Sequence, residues 1–409
     1  MRAVIMAGGK GTRIASVVSD VPKPMIQICG KPILQYQIEC LRRQNIIDII
    51  LVIGHLGHVI KDYFDDGSAF DVNITYIEEK EPLGTAGALY YLKDIMREDF
   101  LLLNGDIIFD VDFNRFMDYH KRKGGYATIF THPNNHPYDS GLIVTDQQGI
   151  VTRWMHKEDE RSIYKNRVNA GIHILSVKVL EMFNEVKKTD LDRDILKNLI
   201  LLKRLVAYDS PEYVRDMGTP ERYQMVIRDI ESGLVRAKNL KNRQKAVFLD
   251  RDGTINIYKG FICDQKEMEL IPGIANEIRK INESGYLAIV VTNQPVIARG
   301  ECAVEELERI HEKMETLLGH EGAYIDDLFY CPHHPDKGFE GECIEYKVAC
   351  ECRKPKPGML LQAAEKYNID LVASYMIGDD ERDMEAGRQA GCKAVKVERN
   401  VAFDFESLR

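Results

Sequence analysis

The 409-residue chain reads as an α/β protein built from two tandem doubly wound units. Short apolar runs alternate with longer amphipathic stretches, the pattern of strands and helices taken in turn. That alternation stops at a basic stretch near residue 240 and starts afresh near residue 245. The length also suits two or three domains of roughly 100–200 residues each.

In the first half, AVIMAG (3–8), IIDIILVIG (46–54), VNITYI (72–77) and FLLLNGD (100–106) are expected strands. Residues 31–44 and 84–96 are expected helices, and the alternation favours a mainly parallel sheet. In the second half, KAVFLD (245–250), GYLAIVVTN (285–293) and ASYMIGD (373–379) are the strands. Between the halves, RAKNLKNRQK (236–245) carries five basic residues and no apolar periodicity beyond Leu240. It reads as a solvated linker or helix end. The expected organisation is therefore 1–235, a linker at 236–244, and 245–409.

Composition narrows the function. With 44% hydrophobic and 29% charged residues the chain is ordinary globular protein. A net charge of −9 argues against a broad nucleic-acid footprint. It leaves room for small anions, which need only local positive charge. No apolar run approaches the roughly 20 residues that span a bilayer, and the first apolar stretch is shorter than a secretory core of about 7–15. No membrane role and a cytoplasmic location are expected, and nothing fixes an oligomeric state. Four of the nine cysteines fall between Cys331 and Cys352; in a cytosolic chain such a cluster suggests metal rather than disulfides.

Three strands of the second half end in residues suited to phosphate chemistry. Asp250 and Asp252 follow KAVFL, Thr292 and Asn293 end YLAIVV, and Asp379 follows SYMIG. Parallel strands present their carboxyl ends at one edge, where open α/β sheets bind ligands. An aspartate there can attack phosphorus and form an aspartyl-phosphate. Asp250 and Asp379 can hold Mg²⁺, Asp252 can protonate the leaving oxygen and then activate water, and Lys354 can meet the phosphoryl oxygens. FLDRDGTIN, TNQ, CRKPKPGM and IGDDERDMEAG resemble the four motifs of the haloacid dehalogenase superfamily. Within it the run over about 245–400 is most similar to heptose-1,7-bisphosphate phosphatases, and histidinol-phosphate phosphatases share the pattern. The resemblance implies Asp250 as nucleophile, Asp252 as acid and base, and Mg²⁺ on Asp250, Asp379 and the Asp252 carbonyl. It further implies Thr292, Asn293, Arg353 and Lys354 around the phosphate, with Arg299 reaching the substrate. Pro295-Val296 depart from the family's Ser-Gly pair, which puts the adjoining loop and substrate detail in question.

Cys331-Pro-His333 and Cys350-Glu-Cys352 offer three thiolates and an imidazole, a closed tetrahedral shell for structural Zn²⁺. The resembled phosphatases carry the same two pairs. Cys343 and His334 lie in the same loop and compete as ligands.

In the first half, the opening strand runs into GGKGTR, a glycine-rich turn able to offer backbone N–H groups to phosphate. It lacks both the Walker ending and the third glycine of a dinucleotide fingerprint. Lys23 sits between Pro22 and Pro24, EPLGTAGAL (81–89) is a second glycine turn, Asp106 follows an apolar strand, and Asp216 precedes another turn. Arg13 and Lys23 can stabilise phosphates while Asp106 and Asp216 hold Mg²⁺, which is what nucleotidyl transfer requires. GGKGTR, PKPM, LGTAG, NGD, VNAGIHIL and DMGTPERY resemble the sugar-1-phosphate nucleotidyltransferases over about 1–230, and SVVSDVPKPM with EPLGTAGAL is most similar to heptose-1-phosphate guanylyltransferases. The resemblance implies a Rossmann-like nucleotidyltransferase domain. Gly8, Gly9, Gly11, Thr12, Arg13, Lys23, Gly84, Thr85 and Asp106 would serve the nucleotide, and Asn169 and Gly171 the sugar.

The two halves join into one expectation. A bisphosphorylated heptose that loses its 7-phosphate is the acceptor for a nucleotidyl group, GTP being the favoured donor, with GDP-heptose as product. Another nucleotide, another phosphorylated sugar, or a non-catalytic nucleotide-sugar sensor are the alternatives; the full set of acidic and basic residues argues against the last.

Overall fold

The computed structural model describes residues 1–9, 21–338 and 340–408. Gly11, Thr12 and Arg13 lie outside the described residues. The chain divides into two units: Met1–Thr131, Ile143–Trp154 and Asn169–Asn239 form the first, and His132–Leu142, Met155–Val168 and Leu240–Arg409 the second.

The first unit is built on a nine-stranded sheet. Its parallel centre is the strand Ala3–Met6, flanked by Asp48–Ile53 and Phe100–Asn104, with Asn73–Glu78 outside Asp48–Ile53. Val168–Leu175 then joins Phe100–Asn104 antiparallel, so the sheet is mixed where the sequence favoured a mainly parallel one. Alternate residues explain why both faces are covered. Ala3, Ile5, Leu101 and Leu103 enter one apolar core, and Val4 and Leu102 enter another. Trp154 packs within the second core.

The helix expected over 84–96 is replaced by a short 3-10 segment, Gly87–Leu92. The cause is close backbone packing. Gly84 has φ +81, and a Cβ on it would stand 2.5 Å from the Thr189 carbonyl oxygen; one on Gly87 would stand 2.3 Å from that of Lys187. The two glycines that allow this approach are poor helix formers. The basic run near 240 opens on a helix end, Leu234–Ala237, one of its two expected readings, but is not wholly solvated. Lys238, Asn239 and Leu240 are buried, and Asn239 donates to the Asp110 carboxylate at 2.7 Å.

The second unit carries a five-stranded parallel sheet in the order Asp327–Cys331, Leu287–Asn293, Ala246–Leu249, Tyr375–Gly378, Lys393–Lys396. Again both faces are apolar: Val247 and Leu249 enter one core, Ala246 and Phe248 the other. The helix Val304–His320 belongs to this unit. Its Glu315 and Thr316 hold the segment 155–168: Arg167 pairs with Glu315 at 3.2 Å and the Tyr164 N–H donates to Thr316 at 2.9 Å. No helix among the described residues is long and apolar enough to cross a membrane.

Two candidate active sites and a candidate metal centre

In the second unit the central strand Ala246–Leu249 lies between Leu287–Asn293 and Tyr375–Gly378. Their ends therefore bring Asp250, Thr292 and Asp379 to one edge, as the spacing predicts. The Asp250 N–H donates to the Ile377 carbonyl at 2.9 Å, which fixes the first acid against the strand that delivers the last. Gly253 has φ +87, and a Cβ there would meet an Asp379 oxygen at 2.7 Å. Only glycine lets this turn close over the carboxylate.

Lys354 is buried and ties the site together. Its Nζ lies 2.7 Å from Asp250 Oδ1 and 2.6 Å from Asp383 Oδ1, and it donates to the Val291 carbonyl at 2.8 Å. Burial acts to lower its pKa, but Asp250 and Asp383 outweigh that and hold it above the ordinary lysine value. Burial pushes Asp250 up; Lys354 opposes, and Asp383 and Asp252 add to the rise. One lysine is thus set against crowded acids, an arrangement that favours a further cation. The carboxylates of Asp250, Asp379 and Asp383 lie within 4.8 Å of one another, hard oxygen donors that fit Mg²⁺. Asp383 stands in the sequence motif without a role. It is found at the first turn of the helix Glu381–Ala390, in a capping box with Asp380.

The supporting residues are equally specific. Asn293 and Lys354 exchange two hydrogen bonds of 3.0 Å, Asn293 Nδ2 to the lysine carbonyl and the lysine N–H to Asn293 Oδ1. Thr292 accepts from Gln294 at 2.8 Å. Arg299 pairs with Glu301 at 2.7 Å and lies over the Phe261 ring. Arg399, which no motif pointed to, pairs closely with Asp379 and lies over Tyr258. Pro295 starts a tight turn in which Val296, Ile297 and Ala298 are buried and the Arg299 N–H donates to the Pro295 carbonyl at 3.0 Å. A proline suits the start of such a turn, where its missing donor costs nothing.

The cysteine cluster is one strand away. Cys331 ends Asp327–Cys331 in register with Asn293. Its Sγ lies 3.5 Å from that of Cys350 and 3.3 Å from that of Cys352; His333 Nδ1 is 3.3 Å from Cys352 Sγ. Tetrahedral ligands about a metal at 2.3 Å would stand roughly 3.7 Å apart, so these four fit one ion. Cys343 and His334 are outside the group. Cys343 instead donates its N–H to Ala298 at 3.0 Å, bracing the Pro295 turn. Arg353 donates to the His333 carbonyl at 3.2 Å.

In the first unit, Lys23 and Asp106 form a close ion pair. Asp106 stands in the turn after Phe100–Asn104, and buried Gln37 pins that turn by donating to the carbonyls of Asn104 at 2.9 Å and Ile107 at 2.7 Å. Asp216 ends Tyr213–Asp216 opposite Ile107, and the Met217 N–H donates to the Asp106 carbonyl at 3.2 Å. The two acids thus come from adjoining backbone. The Asp216 carboxylate pairs with Arg222 at 2.8 Å. Asn169 Oδ1 accepts from the Gly171 N–H at 3.2 Å. Thr85 is used in support, accepting from the Leu191 N–H at 2.7 Å.

Beside the glycine turn stands an acid that sequence reasoning missed. Glu79 Oε2 lies 2.7 Å from where a Cβ on Gly8 would stand. Its other oxygen is buried and accepts no hydrogen bond from the described residues. Burial holds its pKa above the ordinary value, opposed by the Leu83 N–H.

Residues 2–233 match the nucleotidyl transferase family model, and residues 351–404 match the HAD-hydrolase-like one. The D-glycero-beta-D-manno-heptose-1,7-bisphosphate 7-phosphatase of Yersinia pestis is 43% identical over 169 residues, which are 39% of this chain and 88% of that protein. Mannose-1-phosphate guanyltransferase 2 of Candida glabrata is 33% identical over 229 residues, 54% of this chain. The chain spans 63% of that relative's length. The structure of HddC from Yersinia pseudotuberculosis complexed with GMP-PN is 29% identical, with a TM-score of 0.49, covering 56% of this chain and 99% of that one. The chain belongs to the nucleotidyl transferase family through its N-terminal part and to the haloacid dehalogenase-like phosphatases through its C-terminal part.

Proposed function

We propose that this chain removes the 7-phosphate of D-glycero-D-manno-heptose 1,7-bisphosphate and transfers GMP from GTP to the resulting heptose 1-phosphate, giving GDP-heptose and pyrophosphate. The observation that carries the phosphatase half is the acid edge at Asp250, Asp379 and Asp383 with Lys354 buried among it. The 43% likeness to a heptose-bisphosphate 7-phosphatase supports the sugar. The pairing of the halves supports the sequence of steps, since the first product is an acceptor for the second reaction.

In the phosphatase, Asp250 attacks the 7-phosphorus and the sugar oxygen leaves with a proton from Asp252. Asp252 then takes a proton from water, and the water oxygen breaks the aspartyl-phosphate to release phosphate. Lys354 faces the phosphoryl oxygens, and Thr292, Asn293, Arg353 and Arg299 bind the substrate. Asp250, Asp379 and the Asp252 carbonyl are the groups that would hold Mg²⁺, whose charge would offset that of the phosphate and the carboxylates. In the transferase, a 1-phosphate oxygen attacks the α-phosphorus of the triphosphate and pyrophosphate leaves. Lys23, with Arg13, stabilises the phosphates; Asp106 and Asp216 are the residues that would hold Mg²⁺.

Glu79 supports guanine. A carboxylate only accepts, and guanine's N1–H and N2–H₂ edge presents two adjacent donors to it. The relatives on this side are named for mannose 1-phosphate, so that sugar is the rival acceptor.

A ³¹P time course with Mg²⁺ tests the reading. Each anomer of the heptose bisphosphate is given with GTP, ATP, CTP or UTP, and mannose 1-phosphate is run in parallel. Phosphate in all heptose tubes, and a nucleotide-sugar signal with GTP alone, is expected. Product from mannose 1-phosphate but not from heptose would overturn the sugar assignment. Glu79→Gln is expected to lower kcat/KM for GTP about 10- to 100-fold, the worth of one charge-assisted hydrogen bond; an unchanged value would remove Glu79 from base selection.

A further inference from the structure

Between Asp250 and Asp252 the sequence places Arg251, to which the resemblance assigns no role. It is among the largest fully buried side chains of the described residues. Its guanidinium faces the Asp252 carboxylate, NH2 donating at 2.9 and 2.8 Å to the two oxygens and Nε at 3.2 Å to Oδ1. On the far side, NH1 lies 3.1 Å from Nε2 of His311, a buried residue of the helix Val304–His320. With arginine as donor, that ring nitrogen is the acceptor. Two more donors complete the cage around Asp252: Gln294 at 2.8 Å and Asn256 at 3.1 Å.

We propose that Arg251 is a positioning residue, its buried guanidinium, backed by His311, fixing Asp252 in the orientation from which it exchanges a proton with the leaving oxygen. This rests on the reading of Asp252 as the acid and base of the phosphatase. A buried ion pair alone is weak grounds for function, since apolar replacements often stabilise as well. Three features here go further. The pair is with the acid of the reaction itself. The contact is a planar fork, which sets direction as well as charge. The fork is held from behind by a histidine on a separate element, so the guanidinium plane is fixed too. If Asp252 swung away, a buried guanidinium would lose its carboxylate, which opposes such movement. Asp252 therefore works from the clamped position.

Arg251→Lys keeps the charge and loses the fork. The full-length protein with Mg²⁺ is assayed on phenyl phosphate, whose leaving group needs a proton, and on 2,4-dinitrophenyl phosphate, whose leaving group does not. The readout is kcat/KM, which reports only the steps through phosphoryl transfer. The expected result is a fall of about 30-fold or more for phenyl phosphate, within the range of general acid catalysis, and of less than about 3-fold for the dinitrophenyl ester. His311→Gln shifts the ratio in the same direction by less, and carries the test if Arg251→Lys does not fold. Equal losses on both esters, or no loss, would overturn the clamp when Asp252→Asn does split them. If Asp252→Asn fails to split them, the acid–base reading falls and the clamp with it.

Discussion

At the scale of single residues, burial decides which titratable groups matter. His173 lies on Val168–Leu175, is buried, and burial pushes its pKa down from 6.5 to about 4. The unfolded chain takes its proton near pH 6.5 and the folded one only near pH 4. The stability this residue contributes is thus complete above pH 6.5 and is lost as pH falls through that window. We expect the first unit to lose roughly 1–3 kcal/mol across it, and His173→Leu to flatten that part of a stability–pH profile; an unchanged slope would contradict it. His120 is buried beside Thr128 at 2.7 Å and Asp99 at 3.2 Å, a satisfied core histidine. Asp250, Lys354 and Asp379 were legible because each follows an apolar strand or stands in a dense motif. Arg251, Glu79 and Gln37 were not. Their importance comes from what faces them across the fold, and a residue type alone carries no partner.

Among elements, the cysteine loop bears on the phosphatase edge from two directions. Cys331 is in register with Asn293, and Cys352 precedes Arg353 and Lys354 directly. From the same loop Cys343 braces Ala298. Cys352→Ser, with Mg²⁺ supplied throughout, is expected to cost phosphatase activity about 100-fold, the scale of a roughly 1 Å misplacement, while nucleotidyl transfer persists. Metal analysis should find one zinc in the parent protein and none in the variant. Phosphatase activity at the parent level without metal would contradict a supporting role. Strands such as Phe100–Asn104 and Ala246–Leu249 were readable because apolar runs of this length bury on both faces. The helix expected at 84–96 was not, because the packing of Gly84 and Gly87 on residues 187–189 is a long-range contact that overrides local pattern. The antiparallel Val168–Leu175 was hidden for a similar reason: strand direction is set by the connections, which local apolarity does not encode.

Across the whole molecule, each unit has its own sheet with apolar cores on both faces. Asp250, Asp379 and Asp383 gather in the second unit, while in the first Asp106 follows a strand of the large sheet and Asp216 ends a strand of a separate two-stranded one. No motif announced that residues 132–142 and 155–168 would cluster with the second unit; they carry packing residues such as Tyr164 and Arg167, whose partners lie some 150 residues on. The central claim is that one chain holds two separate active sites, and separating them tests it most directly. The measurement is a ³¹P time course with heptose 1,7-bisphosphate, GTP and Mg²⁺, run on Asp250→Asn and Asp106→Asn. Asp250→Asn should release no phosphate from the bisphosphate yet still convert added heptose 1-phosphate to the nucleotide sugar. Asp106→Asn should release phosphate and form no nucleotide sugar. Loss of both reactions from either single change would contradict two independent sites.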